Sequence, residues 1–214
     1  MPFVSFEGSE GCGKSTQVRR LTARLEKLGI AWSMHREPGG TPIGEMIRHI
    51  LQHAEENEAM TPETEVLLFA ASRSQLVREK LRPALAKGEL VICDRFFDST
   101  TVYQGVARKL DAALVQTLNA FAVGDCVPDL TILLEVDRAT ARARMQSQGE
   151  DRVHDRMESQ PEAFYERVER AYRDLAARES QRILLVDGGK SADAIEQEIF
   201  DALEKRQLVR AAVS

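Results

Sequence analysis

The sequence has few of the residues that build covalent or metal-stabilised folds. Its three cysteines, Cys12, Cys93 and Cys126, show no CxxC spacing, and its four histidines form no HExxH pair. These patterns argue against a disulfide framework and against a zinc site. We therefore expect reduced, buried thiols.

Long apolar runs and an excess of positive charge are also absent. No run approaches the roughly 20 apolar residues that a membrane-spanning helix needs, and the N-terminus enters a strand and a glycine-rich loop without the pattern of a signal peptide. The net charge is −5, which disfavours nucleic-acid binding because clustered Lys and Arg supply much of that affinity. We expect a cytoplasmic protein with no membrane or nucleic-acid partner, and any nucleotide that it binds should be a free small molecule.

The composition is typical of a single globular domain. The chain has 214 residues, of which 43% are apolar and 29% charged, and it shows no internal repeat or low-complexity linker, so we predict one domain over residues 1–214. Short apolar runs alternate with longer amphipathic segments, which is typical of βαβ units. The predicted fold class is α/β, with a sheet of five parallel strands near residues 3–6, 31–36, 90–94, 130–136 and 183–187.

One helix has recognisable ends. It is predicted over residues 62–87, with Thr61 as its N-cap and a proline in its first turn. Gly88 is its predicted terminator, and Pro83 is a candidate for a kink.

One segment matches a phosphate-binding loop. Gly8, Gly13, Lys14 and Ser15 satisfy the pattern GxxxxGK[ST], with an apolar strand before it and an amphipathic helix after it. The glycines let backbone N–H groups turn toward phosphate oxygens, and the helix N-terminus adds partial positive charge. Lys14 can then reach the β- and γ-phosphates, and the Ser15 hydroxyl can ligate Mg²⁺. The predicted ATP-binding residues are Gly8, Ser9, Glu10, Gly11, Cys12, Gly13, Lys14, Ser15 and Thr16.

Two classes of nucleotide-binding protein lack support in the sequence. Guanine-binding switches carry NKxD and DxxG motifs, and neither occurs in this chain. Motor ATPases commonly place a Glu after the metal-binding Asp, whereas here Arg95 follows Asp94. Asp94 can still hold Mg²⁺ or its water at a strand end, and Arg95 indicates a second anion.

A second phosphate-bearing substrate would explain why the sequence has no recognisable motif for a catalytic base. A phosphate has a second pKa of about 6, so it is mostly dianionic at pH 7 and needs no base to accept a phosphoryl group. Two polyanions must then be brought together, which arginine side chains can do. The loop interior has no basic residue other than Lys14, so further positive charge must come from elsewhere.

Six segments together resemble the thymidylate kinase family. They are FEGSEGCGKST from Phe6, REPGGTPIGEMIR from Arg36, LLFAASR from Leu67, DRFFDSTTVYQG from Asp94, PDLTILLEV from Pro128 and DRME from Asp155. The glycine-rich loop is shared by many families, whereas EPGGT, DRxxDST and YQG in this order are much more specific. The resemblance implies a P-loop nucleoside monophosphate kinase fold with a short lid, and phosphorylation of dTMP to dTDP by ATP-Mg²⁺ for dTTP synthesis in a homodimer.

The resemblance also implies roles at the reacting phosphates. Glu7 and Asp94 would help to organise Mg²⁺, and Glu10 would approach the 3′-hydroxyl of the acceptor sugar. Arg95 would bind the acceptor phosphate, and Arg48 is a weaker candidate on the same side.

The polar segment 146–160, QSQGEDRVHDRMESQ, is a candidate lid between two helical patterns. Because the glycine-rich loop has no second basic residue, the resemblance implies that the lid supplies the catalytic arginine. Arg156, within DRME, is the best match, and Arg152 in a second DR pair is the alternative. The predicted catalytic residues are Glu7, Lys14, Arg95, Arg152 and Arg156.

The acceptor base pocket has geometric support. Phe69 and Arg73 stand at i and i+4 of the predicted helix, so both point the same way, and a ring with a guanidinium plane can enclose a pyrimidine. The resemblance assigns them thymine stacking and polar contact. It places Thr100, Tyr103 and Gln104 around the base and the deoxyribose 2′ position. The other implied substrate-binding residues are Glu37, Pro38 and Ser99.

Two alternative functions stay open. One is a kinase for another pyrimidine nucleoside monophosphate, such as dUMP or dCMP. The other is a P-loop ATPase or regulator that transfers no phosphoryl group to a nucleotide.

Overall fold

A five-stranded parallel sheet forms the centre of the computed structural model, which describes residues 2–54, 59–147, 156 and 160–209. The strands lie in the order β2-β3-β1-β4-β5, so the first strand of the chain is the middle strand of the sheet. They are β1 Phe3–Glu7, β2 Trp32–Arg36, β3 Leu90–Asp94, β4 Leu130–Glu135 and β5 Ile183–Asp187. The five predicted strands are therefore confirmed, each to within one residue at either end.

Helices cover both faces of the sheet. They are α1 Lys14–Lys27, α2 Pro42–Gln52, α3 Pro62–Leu76, α4 Arg82–Ala86, α5 Phe97–Thr100, α6 Ala112–Val123, α7 Arg138–Gln146, α8 Glu162–Arg178 and α9 Ala192–Lys205. On one face, α1 and α9 pack over Val4 and Phe6 of β1. On the other face, α4 packs near Phe3 and α8 packs over Leu133 of β4. The middle strand is buried at every position, and a strand buried on both faces is a continuous apolar run in the sequence.

The predicted helix 62–87 is confirmed in extent but is not regular throughout. Thr61 caps its start, because its side chain accepts a hydrogen bond from a backbone N–H of the first turn. A π-helical segment, Val77–Leu81, joins α3 to α4. Pro83 lacks an N–H, and in a regular α-helix its ring would meet the carbonyl of Glu79. The wider turn just before Pro83 lets the helix continue past it.

The carboxyl ends of β1 and β3 place the predicted site residues side by side. The glycine-rich loop follows β1 and Arg95 follows β3, and the two strands are paired with Phe6 opposite Asp94. The chain runs from β1 to one side of the sheet and from β3 to the other, and ligands of open α/β sheets bind in the crevice at such a switch point.

Two further predictions concern the lid and membrane-spanning helices. Most of the candidate lid 146–160 lies outside the described residues, so the lid stays a prediction. Among the helices that the structure describes, none has the length and hydropathy to cross a membrane.

Candidate active site

One cavity joins the glycine-rich loop to the predicted acceptor residues. Its volume is about 690 Å³, which is in the range of small-molecule sites. Most of the predicted site residues that the structure describes line this cavity. The described exceptions are Glu7, Gly8, Ser9, Arg73 and Arg156. Arg152 lies outside the described residues.

The glycine-rich loop is shaped by close approaches of other backbone segments. A Cβ at Gly8 would lie 2.3 Å from the carbonyl oxygen of Leu134, and one at Gly11 would lie 2.5 Å from that of Ala141. Both glycines have positive φ, +134° and +72°, where L side chains are disfavoured. These positions therefore require glycine for space and for conformation.

Lys14 begins α1 and lies across the loop. Its side chain is 8% exposed, and Nζ donates to the carbonyls of Gly8 and Ser9, both at 2.9 Å. Gly13, at the N-cap, makes no side-chain cap, so the first N–H groups of α1 are available to an anion. The ammonium and the helix N-terminus together make an anion site on the cavity wall.

Glu7 anchors the chain that follows β3. It is fully buried, and its carboxylate accepts from the N–H of Phe96 at 2.8 Å, from Ser99 Oγ at 2.6 Å and from the Tyr172 hydroxyl at 2.9 Å. Burial raises its pKa, and the nearby charge of Asp98 raises it further. The structure thus places Glu7 behind the cavity wall, and Asp94 is the carboxylate after β3 that lines the cavity.

Arg95 connects the glycine-rich loop to the acceptor end of the cavity. Its Nη2 lies 3.6 Å from Glu10 Oε1, and its Nη1 donates to Ser99 Oγ at 3.3 Å. The guanidinium carbon is 5.5 Å from the centre of the Tyr103 ring. Arg48 lines the same cavity, where its Nη1 donates to the carbonyl of Pro38 at 2.9 Å.

Phe69 and Arg73 share a helix face but occupy different depths. Phe69 lines the cavity, whereas Arg73 is 1% exposed and lies inside the protein. Its Nη2 is 2.6 Å from Glu37 Oε2, and its Nη1 donates to Asn119 Oδ1 at 3.2 Å. Burial raises the pKa of Glu37 to about 7, against the opposing charge of Arg73. The buried pair fixes the end of β2 against α3.

Thr100, Tyr103 and Gln104 line the cavity from one face, as their spacing predicts. They lie in α5 and in the π-helical segment Thr101–Ala107 that continues it. Gln104 Nε2 donates to Glu65 Oε1 at 2.7 Å. Thr100 Oγ1 is buried and has no hydrogen-bond partner among the described residues.

Arg156 contacts the acceptor side of the molecule. It forms an ion pair with the buried carboxylate of Glu65, and its Nε donates to the carbonyl of Leu51 at 3.4 Å. Gln160 Nε2 in turn donates to the Arg156 carbonyl at 2.8 Å. A role of Arg156 at the transferred phosphate would therefore require the ion pair with Glu65 to open.

Three residues at the site have no place in the sequence predictions. Arg144, on α7, lines the cavity and donates to the carbonyls of Gly188 at 3.0 Å and of Gly11 at 3.5 Å. It supplies a second cation beside the glycine-rich loop, and the basic pattern RATARAR before the lid was a signal for it. Asn119 and Glu65 were also missed. Each is a polar residue on the buried face of a helix, which is a detectable signal.

Comparisons with known proteins agree with this geometry. The family model described as thymidylate kinase matches residues 6–199. A thymidylate kinase of Syntrophotalea carbinolica is 47% identical over 90% of this chain and 90% of that protein. One of Geobacter sulfurreducens is 46% identical over 95% and 97%. The crystal structure of the thymidylate kinase of Ehrlichia chaffeensis superposes with a TM-score of 0.75 at 29% identity, covering 95% of this chain and 98% of that one.

The family match extends over most of the chain, and the likeness to a solved thymidylate kinase structure shows the fold of a P-loop nucleoside monophosphate kinase. The predictions of fold and of reaction are confirmed at that level. The chain belongs to the thymidylate kinase family and phosphorylates dTMP.

Proposed function

We propose that ATP is the donor and that its γ-phosphoryl group passes in line to the phosphate of dTMP inside the single cavity described above. The observation that supports this proposal is the position of two cationic centres on neighbouring strand ends. Lys14 follows β1 and Arg95 follows β3, and both line the cavity. One centre suits the donor phosphates and the other suits the acceptor phosphate.

The oxygen donors beside the loop fit Mg²⁺. Ser15 and Asp94 both line the cavity, and Mg²⁺ binds through one or two carboxylates together with phosphates and waters. Among the residues that the structure describes, no group of three His, Cys, Asp or Glu side chains is arranged so that it could hold a metal ion by itself. When bound, Mg²⁺ would offset negative charge on the donor phosphates.

The acceptor phosphate needs no general base, because it is already mostly ionised at neutral pH. The task left to the protein is to hold it against the donor. Arg95 can do this, and Glu10, whose Oε1 lies 3.6 Å from Arg95 Nη2, directs the guanidinium. Glu10 is also the carboxylate that we place near the 3′-hydroxyl of the sugar. Glu7 acts indirectly, because its carboxylate holds the backbone N–H of Phe96 in place.

The acceptor base lies between Phe69 and the face formed by Thr100 and Gln104 in this proposal. Phe69 supplies a ring for stacking, and the two polar residues supply hydrogen-bonding atoms on the cavity wall. Arg73 supports this end through its ion pair with Glu37, which lines the cavity beside Pro38.

Positive charge at the donor comes from two further arginines in this proposal. Arg144 already lies beside the glycine-rich loop. Arg156 would join it when it leaves Glu65 as the lid closes, and Arg152 is the alternative lid cation.

We further propose that the protein works as a homodimer. Exposed apolar side chains occur on α2, α3 and α6, and α3 packs against both of the other helices. Such a surface on a single chain indicates an interface. We define the apolar face as Ile43, Met46, Ile50, Leu67, Leu114 and Phe121.

The experiment that tests the transfer is identification of the products by ³¹P NMR. With ATP, Mg²⁺ and dTMP, we expect ADP and dTDP to appear in equal amounts. ADP with inorganic phosphate, and no dTDP, would contradict the proposal and would support a non-transferring ATPase.

A further inference from the structure

Glu65 is a buried carboxylate for which the reaction gives no role. It lies in the first turn of α3 and is 1% exposed, and it is not part of the cavity wall. A buried charged side chain is costly unless it is fully paired. Its partners therefore indicate what it does.

Three side chains donate to Glu65. Gln104 Nε2 donates to Oε1 at 2.7 Å. Arg108 donates through Nε to Oε1 at 3.2 Å and through Nη2 to Oε2 at 3.1 Å. Arg156 is ion-paired with Oε2. Because the Glu65 oxygens accept from these guanidinium groups, the end of the Gln104 amide that pairs with Oε1 is its NH₂ donor.

This contact fixes which end of the amide remains for a ligand. A glutamine amide presents a donor or an acceptor according to its rotation. With Nε2 held by Glu65, the polar atom left on the Gln104 amide is Oε1, an acceptor, and Gln104 lines the cavity. Thr100 Oγ1, one helical turn earlier, lacks a hydrogen-bond partner in the described part of the chain. A hydroxyl can donate or accept a hydrogen bond, so of these two groups only the amide oxygen is restricted to accepting one.

We propose that Glu65 is a positioning residue that makes the site selective for pyrimidines with a protonated N3. Thymine and uracil carry an N3–H donor, which the Gln104 oxygen accepts. Cytosine carries a lone pair at N3, which faces the same oxygen without a proton between them. The inference rests on the proposed position of the base beside Gln104.

The test compares dTMP with 5-methyl-dCMP, which carries the same methyl group and differs at N3 and at the C4 substituent. Glu65→Gln has nearly the size of the native side chain but a single acceptor oxygen, which Arg108 will take whether or not Arg156 also contacts it. Its NH₂ then faces Gln104 and turns the Gln104 oxygen away from the base. We expect the kcat/KM ratio of dTMP to 5-methyl-dCMP to fall by about 10-fold, the value of one well-placed hydrogen bond.

A double-mutant cycle separates this role from a general loss of structure. Gln104→Met should lower the same ratio, and adding Glu65→Gln to Gln104→Met should lower it no further, because Glu65 acts through Gln104. Arg108→Met, which removes another Glu65 partner, is the matched control and should leave the ratio unchanged. A change of rate common to both acceptors, including any loss through Arg156, cancels in the ratio.

The outcomes distinguish a failure of the role of Glu65 from a failure of the proposed position of the base. A native ratio in Glu65→Gln, with a lowered ratio in Gln104→Met, overturns the role of Glu65 alone. A native ratio in Gln104→Met overturns the position of the base. If Glu65→Gln does not fold, Glu65→Asp, which withdraws the carboxylate by one methylene, should lower the ratio by at least about threefold, and a native ratio there overturns the inference.

Discussion

At the scale of single residues, Arg95 has the most constrained backbone in the site. Its φ is +66°, a region that costs a residue with a side chain of order 1–3 kcal/mol. Its N–H donates to the carbonyl of Phe6 at 2.9 Å, which holds the turn against β1. The strained turn directs the guanidinium toward Glu10, between the donor and acceptor ends of the cavity.

Arg156 gives the first prediction. Arg156→Ala should lower kcat by about 100-fold and change the KM for dTMP much less, because a cation that acts on the transferred group stabilises the transition state more than bound substrate. Steady-state kinetics with ATP and dTMP measure both. An unchanged kcat would remove Arg156 from the mechanism and assign the role to Arg152.

Arg144 gives the second prediction. Arg144→Ala should raise the KM for ATP and lower kcat/KM for ATP by about 10-fold or more, because the guanidinium is a fixed cation beside the glycine-rich loop. Arg142→Ala is the matched control, since Arg142 lies on the same helix but is 63% exposed and faces Glu162. Equal effects of the two substitutions would show that Arg144 acts only through the general charge of α7.

At the scale of elements, the buried pair of Glu37 and Arg73 joins β2 to α3 and gives a pH prediction. Burial raises the pKa of Glu37 from 4.5 to about 7. Between these values the folded protein keeps a proton that the unfolded chain releases, so stability falls as the pH rises through this window. The loss amounts to about 3 kcal/mol when converted at 1.36 kcal/mol per pH unit.

Glu37→Gln should remove this part of the pH dependence, because the amide does not titrate. Urea unfolding between pH 4.5 and 7 measures the slope. Glu45→Gln is the control, since Glu45 is half-exposed beside Arg36 and should leave the slope as in the native protein. Parallel slopes for native protein and Glu37→Gln would contradict the assignment to Glu37.

The elements also show how far the sequence determines the fold. Strands β1, β3 and β4 were predictable because helices on both faces bury them, and a strand buried on both faces is a short apolar run in the sequence. The extent of the helix 62–87 was predictable from its cap and its glycine. Its π-helical segment was not, because the sequence marks Pro83 but not the turn that accommodates it.

The site was predictable in part, for a similar reason. The glycine-rich loop is continuous in sequence, and its geometry follows from its glycines. The depth of Arg73 depends on Glu37, 36 residues away, and the orientation of the Gln104 amide depends on Glu65, 39 residues away. Neither spacing is a sequence pattern, so only packing reveals these contacts.

At the scale of the whole molecule, the apolar face predicts assembly. Phe121, on α6, is 76% exposed and belongs to this face. Phe121→Asp should convert a dimer to a monomer, because burying an unpaired carboxylate in an interface is costly. Light scattering after size-exclusion chromatography measures the mass. Val127→Asp, an exposed apolar residue outside this face, is the control, and a native protein of monomer mass would contradict the homodimer.

The measurement that tests the account most directly is ADP release from ATP-Mg²⁺ by the purified protein, with dTMP, dUMP, dCMP, UMP, AMP and dGMP supplied one at a time. The account predicts the greatest kcat/KM for dTMP, with dUMP lower by about 10- to 200-fold for the loss of one methyl group. Equal release with every acceptor, or release without any, would contradict phosphoryl transfer to thymidylate.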